Sequence, residues 1–352
     1  MKFGLFDYID RRDEDAAVTY DRRIEFVQAA DAAGFYGYHV TEHHVAPLSL
    51  TPSPIVFLSA LARETSRIRL GALLFLLPLY NPLRLLEELC MLDQLSHGRL
   101  DLGVGRGISP DEFRAMHESF DDTSDTFDEV FEILMKGFTQ DRLNHSGKRW
   151  TYNNVKMVMK PYQKPHPALW YGLRGEQGAP FAAAHDMNAV SLGPTDRIAA
   201  HVARFRAAWR QQEPARIASG AAPREPIVGA MRTVFVAESD AKAERLARPA
   251  YEKWFDNLAW LWIDNGGYPP IALSPDYDTA LKSGSLVVGS PDTARKQLAA
   301  QIESCGFNYL LMLMAFGSLT HADEMNSLAL FRAEVMPALA AMETPEAARR
   351  IA

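Results

Sequence analysis

This chain of 352 residues has only two cysteines, no surplus of basic charge and no long apolar run. Two cysteines, Cys90 and Cys305, allow neither a disulfide framework nor a cysteine metal centre, and they predict a reducing, cytoplasmic location. Lysine and arginine number 37 against 44 acidic residues, so neither nucleic acid nor an anionic membrane is an expected partner. The longest apolar run, Ala72–Leu79, is too short to span a bilayer, and the first residues show no export signal.

The chain does contain a regular alternation of short β-rich segments with helical patterns, which continues almost to its end. A hydrophobic share of 47% is enough for one large buried core. Eight strands that are each followed by a helix predict an α/β fold, a closed (β/α)8 barrel of the TIM type. The predicted strands are Lys2–Asp7, Gly37–Thr41, Ile68–Phe75, Leu100–Val104, Leu169–Leu173, Ala189–Leu192, Ile227–Val236 and Tyr309–Met314.

Two segments interrupt this alternation. Residues 144–167 contain Gly and Asn-Asn turns and a proline-rich exit, which predicts a small β insertion before the fifth strand. Residues 262–285 are rich in glycine and proline and have no sustained period, which is typical of a long lid-like loop over an active site. We therefore expect one barrel domain over residues 1–342 and a flexible tail over residues 343–352.

Glu42, His43 and His44 follow the second predicted strand, at the edge where parallel α/β folds bind ligands. An imidazole exchanges a proton near neutral pH, and a neighbouring carboxylate can fix its tautomer. Along an extended chain Glu42 and His44 face one way and His43 faces the other. No HExxH, HxxxE or CxxC spacing supplies further ligands, so we expect no metal. The alternative to proton transfer is a histidine pair that caps a loop.

Turns that contain glycine and arginine follow the fourth and fifth predicted strands. Gly103–Gly107 (GVGRG) is not a dinucleotide fingerprint, but its glycines let the backbone approach a ligand, and Arg106 suits a phosphate. The alternative is a tight turn in which Arg106 pairs with Asp101 or Asp111. Residues 173–178 (LRGEQG) either bring backbone N–H groups and a second arginine toward an anion or form an ordinary turn with a solvated arginine.

Several motifs taken together resemble the luciferase-like flavin monooxygenases. They are EHH after the second strand, LDQLSHGRLDLGVGRG up to the end of the fourth, KPHPALWYGL at the fifth, and GSPDTARKQL with a closing VMP near the end. The resemblance covers nearly the whole chain in the same order. It implies a (β/α)8 barrel that holds reduced FMN at the carboxyl ends of its strands and uses O2 to oxygenate a small organic substrate. It also implies a separate reductase that supplies the reduced flavin.

The resemblance assigns individual residues as well. His43, the first histidine of EHH, matches the family's catalytic histidine, and Glu42 matches an acid near the flavin ring. The other matches concern FMN. They are Gly105 and Arg106 after the fourth strand, Arg174, Gly175 and Gly178 in a second phosphate loop, and the Leu73–Leu74 step beneath the flavin ring, where a cis peptide is implied.

Some alternatives stay open at this point. Light-emitting members place a cysteine at the position of Gly105 and a Glu-Ser pair at Arg174-Gly175, so we do not expect bioluminescence. A deazaflavin-dependent oxidoreductase that transfers hydride shares the barrel, although EHH argues against it, and a non-catalytic partner subunit is the alternative outside the enzymes. The substrate class is open among aldehydes, ketones, aromatics and sulfur compounds. Apolar stretches at Ser53–Leu61 and Leu85–Leu95 predict a homodimer.

Overall fold

Eight parallel strands form a closed barrel in the computed structural model, which describes residues 1–218 and 224–342. The barrel strands are β1 (Lys2–Asp7), β2 (Gly37–Val40), β3 (Arg69–Leu76), β4 (Leu100–Gly105), β7 (Ala168–Gly172), β8 (Asn188–Ser191), β9 (Val228–Val236) and β11 (Tyr309–Leu313). The ring closes because β9 pairs with β8 on one side and with β11 on the other. The prediction of an eight-stranded TIM-type barrel is confirmed, with each strand end within one residue of its expected place.

Helices flank the barrel, and many of them begin with a polar residue followed by proline. At the start of the third helix the Asn81 side chain accepts a hydrogen bond of 3.1 Å from the Arg84 N–H, which caps that end.

In the described ranges no helix combines the length and the apolar character needed to cross a bilayer. The helices are α1 (Ala16–Ala33), α2 (Pro54–Glu64), α3 (Pro82–Leu95), α4 (Pro110–Ala115), α5 (Thr123–Thr139), α6 (Gly178–Ala184), α7 (Thr195–Gln211), α8 (Glu213–Ala218), α9 (Asp240–Asp264), α10 (Tyr277–Ser283), α11 (Pro291–Cys305), α12 (His321–Leu330) and α13 (Met336–Ala340). Short 3-10 and π segments cover Leu77–Leu79 and Phe331–Val335.

Large side chains fill the half of the barrel interior near the amino ends of the strands. Trp170 and Tyr309 are fully buried there with ring centroids 5.5 Å apart, and His39 Nε2 lies 3.2 Å from the Tyr309 hydroxyl. Gly4 is required for this packing, because a Cβ at that position would overlap the Tyr309 hydroxyl. Burial lowers the pKa of His39 to about 3, so this histidine is a neutral part of the core. The carboxyl end of the barrel is therefore the end at which a ligand can bind.

The first interruption of the barrel pattern is a β-hairpin. Strands β5 (Arg142–Ser146) and β6 (Thr151–Lys156) pair in antiparallel orientation and form a separate two-stranded sheet. The hairpin begins two residues before the predicted insertion at 144–167, and the residues after Lys156 are irregular up to β7.

The second interruption, residues 262–285, is irregular only in part. Helix α9 extends into it, α10 occupies its later half, and a short strand β10 (Leu286–Gly289), which was not predicted, pairs with β9 directly after it. The irregular part is therefore the shorter segment 265–276, which we call the mouth loop. The predicted tail at 343–352 lies outside the described residues.

Helix α9 is longer than the sequence pattern suggested. The sequence pattern predicts a helix over Ser239–Phe255, but the helix continues to Asp264. Trp254, Leu258 and Leu261 keep the apolar spacing of a helix and are all buried, so packing against the barrel extends the helix. This extension brings a further face of α9 to the carboxyl end of the barrel.

Candidate active site

The residues singled out in the sequence lie together at the carboxyl ends of four adjacent strands. Glu42 and His43 follow β2, the Leu73–Leu74 step lies within β3, Gly105 ends β4 and is followed by Arg106, and Arg174 and Gly175 follow β7 shortly before Gly178 starts α6. Neighbouring parallel strands end at one edge of a barrel, and this edge is where such folds bind ligands. Their common location supports one site at the barrel mouth.

His43 is held by a buried carboxylate. Its Nδ1 lies 2.8 Å from Oε1 of Glu112, a side chain that is only 1% exposed. The same oxygen accepts the backbone N–H of His44 at 3.1 Å, and the Tyr8 ring stacks on His43 with centroids 6.2 Å apart. An acceptor at Nδ1 keeps the proton on that nitrogen. Nε2, which has no hydrogen-bond partner among the described residues, is thereby left to take up a proton.

Glu112 was not singled out in the sequence. It lies in the short helix α4, whose Ser-Pro-Asp-Glu start is typical of a helix amino terminus and says nothing about a partner. The pairing joins positions 69 residues apart. The one available signal was the position of this acid in the segment that directly follows the GVGRG turn.

Glu42 is also buried, at 2% exposure, and is held by three groups. Its Oε2 accepts the Leu76 N–H at 3.0 Å, and its Oε1 lies 3.0 Å from Nε2 of His44. The Tyr80 hydroxyl is its third partner, and burial, followed by the charge of Glu42 and the hydrogen bond to it, raises the pKa of Tyr80. The prediction that Glu42 and His44 face one way, with His43 on the other face, is therefore confirmed.

The Leu73–Leu74 peptide is cis, as the sequence resemblance implied. The register between β3 and β4 shifts at the same place, between Ala72 and Phe75. A Cβ at Gly105 would stand 2.6 Å from Leu74 Cδ1, so glycine at the end of β4 lets the Leu74 side chain pack directly against that strand, and any larger residue would make Leu74 shift. The two leucines present an apolar surface at the mouth.

Arg106 does not form the ion pair that was the alternative interpretation of its turn. Asp101 and Asp111 bind other arginines, at 2.7 and 2.9 Å. The exposed Arg106 guanidinium instead donates to Ser124 Oγ at 3.2 Å. In the described part of the chain it has no carboxylate within ion-pair distance.

Arg174 lies on the same side of the mouth. Its Nη2 donates to the carbonyl oxygen of Pro270 at 2.8 Å, which ties the turn after β7 to the mouth loop. Burial, and then the positive charges of Arg197 and Arg106, lower the pKa of Arg174. Over residues 1–218 and 224–342, none of these three arginines forms a salt bridge, so we refer to them together as the arginine side.

Of the glycines next to Arg174, Gly175 leaves the backbone accessible, whereas Gly178 is buried. Gly175 has a φ of +64°, and no atom lies within 4 Å of the place where its Cβ would stand. Gly178 begins α6, which has only seven residues. The positive character of this turn therefore comes from the guanidinium groups rather than from the helix end.

A cavity of about 700 Å³ opens on the other side of His43. It is lined by the loops after β1 and β2 and by one face of α9, and His43 is part of its wall. Arg106, Arg174 and Leu74 do not belong to this wall. His43 thus lies between the arginine side and a separate cavity.

A closed parallel barrel with reactive groups gathered at its carboxyl mouth defines a TIM-barrel enzyme. The family model for luciferase-like monooxygenases matches residues 1–309, and the chain belongs to this family. The prediction of an oxidoreductase of the monooxygenase type is thereby confirmed.

Relatives and solved structures agree with this assignment. Protein y4wF of Sinorhizobium fredii is 37% identical over 91% of this chain and 92% of its own. The oxygenase component of the flavin-dependent trigonelline monooxygenase from Acinetobacter baylyi is 25% identical over 88% of this chain and 87% of its own. The crystal structure of monooxygenase RslO1 from Streptomyces bottropensis has a TM-score of 0.84 at 25% identity and covers 96% of this chain and 99% of its own.

More distant structures share the fold. The oxygenating constituent of 3,6-diketocamphane monooxygenase from Pseudomonas putida, in complex with FMN, has a TM-score of 0.80 at 23% identity, with 96% of this chain and 98% of that one covered. The coenzyme F420-dependent tetrahydromethanopterin reductase from Methanopyrus kandleri has a TM-score of 0.69 at 15% identity, with 96% and 98% covered. The barrel thus occurs with more than one kind of flavin coenzyme.

Proposed function

We propose that this protein is an FMNH2-dependent monooxygenase that uses O2 to oxygenate a small organic substrate and receives its reduced flavin from a separate reductase. The observation that carries the proposal is the arrangement of the mouth. Arginines without carboxylate partners lie on one side, and a histidine fixed by a buried carboxylate lies on the other. The oxygenase component among the relatives supports a partner reductase.

The arginine side fits the phosphate of FMN. Arg106 and Arg174 repel each other, and neither forms a salt bridge in the described residues, while the more distant Asp128 carboxylate attracts Arg106. A phosphate would neutralise both arginines. The open backbone at Gly175 leaves room for phosphate oxygens. The proposed FMN-contacting residues are Leu73, Leu74, Gly105, Arg106, Arg174, Gly175 and Gly178.

Proton transfer is proposed to occur on the other side of the mouth, formed by Glu42, His43 and Glu112, which we call the histidine side. Bound reduced FMN would contribute the reaction with O2, and the protein contributes placement and protons. His43 takes up or gives a proton at Nε2 while Glu112 holds Nδ1–H. Glu42 is proposed to act near the flavin ring by fixing the backbone at Leu76, where β3 leaves the barrel.

The mouth loop is proposed to exclude water from the reaction. It is attached at two points, by Arg174 to the Pro270 carbonyl and by the Tyr251 hydroxyl to the Ser274 carbonyl at 2.6 Å. A covering segment of this kind protects reactive intermediates from solvent.

The proposed assembly is a homodimer. Val56 on α2 and Met91 on α3 are large apolar side chains that remain mostly exposed. A monomer found by light scattering at micromolar concentration would contradict this part of the proposal. The proposed cytoplasmic location agrees with Cys90 and Cys305, both of which are free thiols.

A cofactor titration tests the proposal. Oxidised FMN and coenzyme F420 are titrated separately into the purified protein, with flavin fluorescence and absorbance as the readout. We expect FMN to bind and to compete with its own reduced form, and F420 to bind far more weakly. Preferred binding of F420 would favour a hydride-transferring oxidoreductase, and no binding of either coenzyme would favour a non-catalytic subunit.

A further inference from the structure

The cavity beside His43 has a distinctive charge pattern. Arg11 and Lys253 line it, and neither forms an ion pair or a side-chain hydrogen bond in the described part of the chain. Arg12 also lines it, but this arginine is already neutralised by the buried carboxylate of Glu324. Asp13 is the one acidic side chain in the wall. The cavity therefore has two cations available to an external anion and one carboxylate opposing them.

Helix α9 presents the second feature of the cavity. Lys253, Asn257 and Trp260 follow one another at helical spacing and all face the cavity. Lys253 is half-buried, whereas the Trp260 indole is 45% exposed and Val45, across the cavity, is 57% exposed. Large apolar surface next to a few convergent polar groups is characteristic of a small-molecule site.

The Asn257 amide shows how the face of α9 is held in place. It donates to Asp10 Oδ2 at 2.9 Å and to the Arg11 carbonyl at 3.0 Å, so α9 is fastened to the chain at the end of β1. The same two hydrogen bonds place the backbone of Arg11 next to the helix that carries Lys253. The two cations are thus attached to one rigid junction rather than to separate flexible loops.

We propose that this cavity is the substrate pocket and that it selects small organic carboxylates. The carboxylate group binds between Arg11 and Lys253, the apolar body packs on Trp260 and Val45, and the reacting end lies toward His43. This proposal rests on the proposed function, because it names the substrate class of the same site.

The test uses the full-length protein without flavin and the probes benzoate, benzamide and inorganic phosphate. Quenching of tryptophan fluorescence, to which Trp260 contributes, and calorimetry report binding. We expect benzoate to bind at least about tenfold more tightly than neutral benzamide, which has the same shape. Inorganic phosphate, which has no apolar body, should not compete with benzoate. Equal binding of benzoate and benzamide, or competition by phosphate, would overturn the assignment.

Variants locate the binding site. Lys253→Met and Arg11→Gln should each weaken benzoate binding by about five- to tenfold, because each removes one of two exposed or half-exposed charges. Arg11→Lys keeps the charge and should recover most of the affinity. Lys296→Met on the exposed face of α11 is the matched control and should bind benzoate like the wild type. Unchanged binding in both cavity variants, with folding verified by circular dichroism, would refute the proposal.

A parallel FMN titration separates this proposal from the proposed function. Wild-type protein that binds FMN but shows no preference for benzoate would overturn the carboxylate pocket and leave the flavin assignment intact. Wild-type protein that binds benzoate through Lys253 but does not bind FMN would overturn the proposed function and leave an organic-anion site.

Discussion

The two sides of the barrel mouth differ in whether their charged side chains are paired within the protein. On the arginine side, Arg106, Arg174 and Arg197 form no salt bridge in the described residues, and burial followed by the charges of the other two arginines lowers the pKa of Arg174. On the histidine side, Glu42 and Glu112 are almost fully buried, and hydrogen bonds from the protein already occupy them. The arginine side thus lacks a paired anion, whereas on the histidine side each carboxylate oxygen of Glu42 and Glu112, except the buried Oε2 of Glu112, has a hydrogen-bond partner in the described residues. Mutations on the arginine side should therefore change FMN affinity, and mutations on the histidine side should change the rate of substrate oxygenation.

Replacing His43 by alanine should give the largest effect, because it removes an imidazole at the barrel mouth whose Nδ1 is held by Glu112 and whose Nε2 has no hydrogen-bond partner in the described residues. Oxygenation of a substrate that the wild type turns over should fall by about 10²–10⁴. FMN affinity should stay within a few-fold, and the reduced flavin should be spent as hydrogen peroxide. The reductase-coupled assay measures both product and peroxide.

The control for that experiment is His44→Ala. The His44 side chain contacts Glu42 on the opposite face, so its loss should affect packing more than chemistry. If His44 proved indispensable and His43 dispensable, the assignment of faces would be wrong.

Glu112→Ala should reduce kcat by on the order of ten- to a hundredfold, the value of a lost hydrogen bond to a charged group. It should also shift the pH dependence of kcat, because Nδ1 of His43 loses its acceptor. Glu112→Gln keeps an acceptor oxygen and should recover part of the rate. The surface variant Glu88→Ala serves as control, and a uniform loss without any change in the pH profile would indicate a purely structural role.

Arg106→Ala tests the other side. FMN affinity should fall by roughly ten- to a hundredfold through the loss of a charge-assisted hydrogen bond, while the rate at saturating FMN should change little. Arg106→Lys retains the charge without the planar fork and should be intermediate. Unchanged FMN binding in a fluorescence titration of Arg106→Ala would remove this residue from the phosphate site.

Asp10, another buried carboxylate, should give the smallest effect on the chemistry, and its effect on stability should depend on pH. Burial raises its pKa to about 6 against the influence of Arg12 and of the Asn257 hydrogen bond. Between the ordinary pKa of an aspartate and this raised value, the folded state binds a proton that the unfolded state has lost. As the pH rises from about 4 to 6, the free energy of unfolding should therefore fall by at most roughly 3 kcal/mol, and above about pH 6 it should level off. Asp10→Asn should flatten this dependence in urea unfolding, and equal slopes in both proteins would contradict it.

The arrangement of the barrel could be predicted because each strand and helix carries its own periodicity. The EHH triplet and the GVGRG turn could be placed at one edge for the same reason, since parallel strands end together. The cis Leu73–Leu74 peptide has no local signature and was predictable only through the family resemblance.

Other features depend on tertiary contacts. Glu112 pairs with a histidine that is distant along the chain, and nothing in its own segment reports that contact. The extension of α9 was visible in the spacing of Trp254, Leu258 and Leu261, but the glycines and prolines that follow favoured a loop over the whole segment. Strand β10 has four residues, like β2 and β8, but it extends the sheet as a ninth strand outside the eight-strand alternation, so the barrel pattern gave no reason to expect it.

The closed base of the barrel has a consequence for the order of events. Trp170, Tyr309 and His39 fill the amino end of the barrel interior, so the flavin and the substrate would both enter and leave through the carboxyl mouth. When two ligands share one entrance, the ligand that binds deeper has to bind first and dissociate last. The steady-state kinetics of this enzyme should accordingly be those of an ordered mechanism.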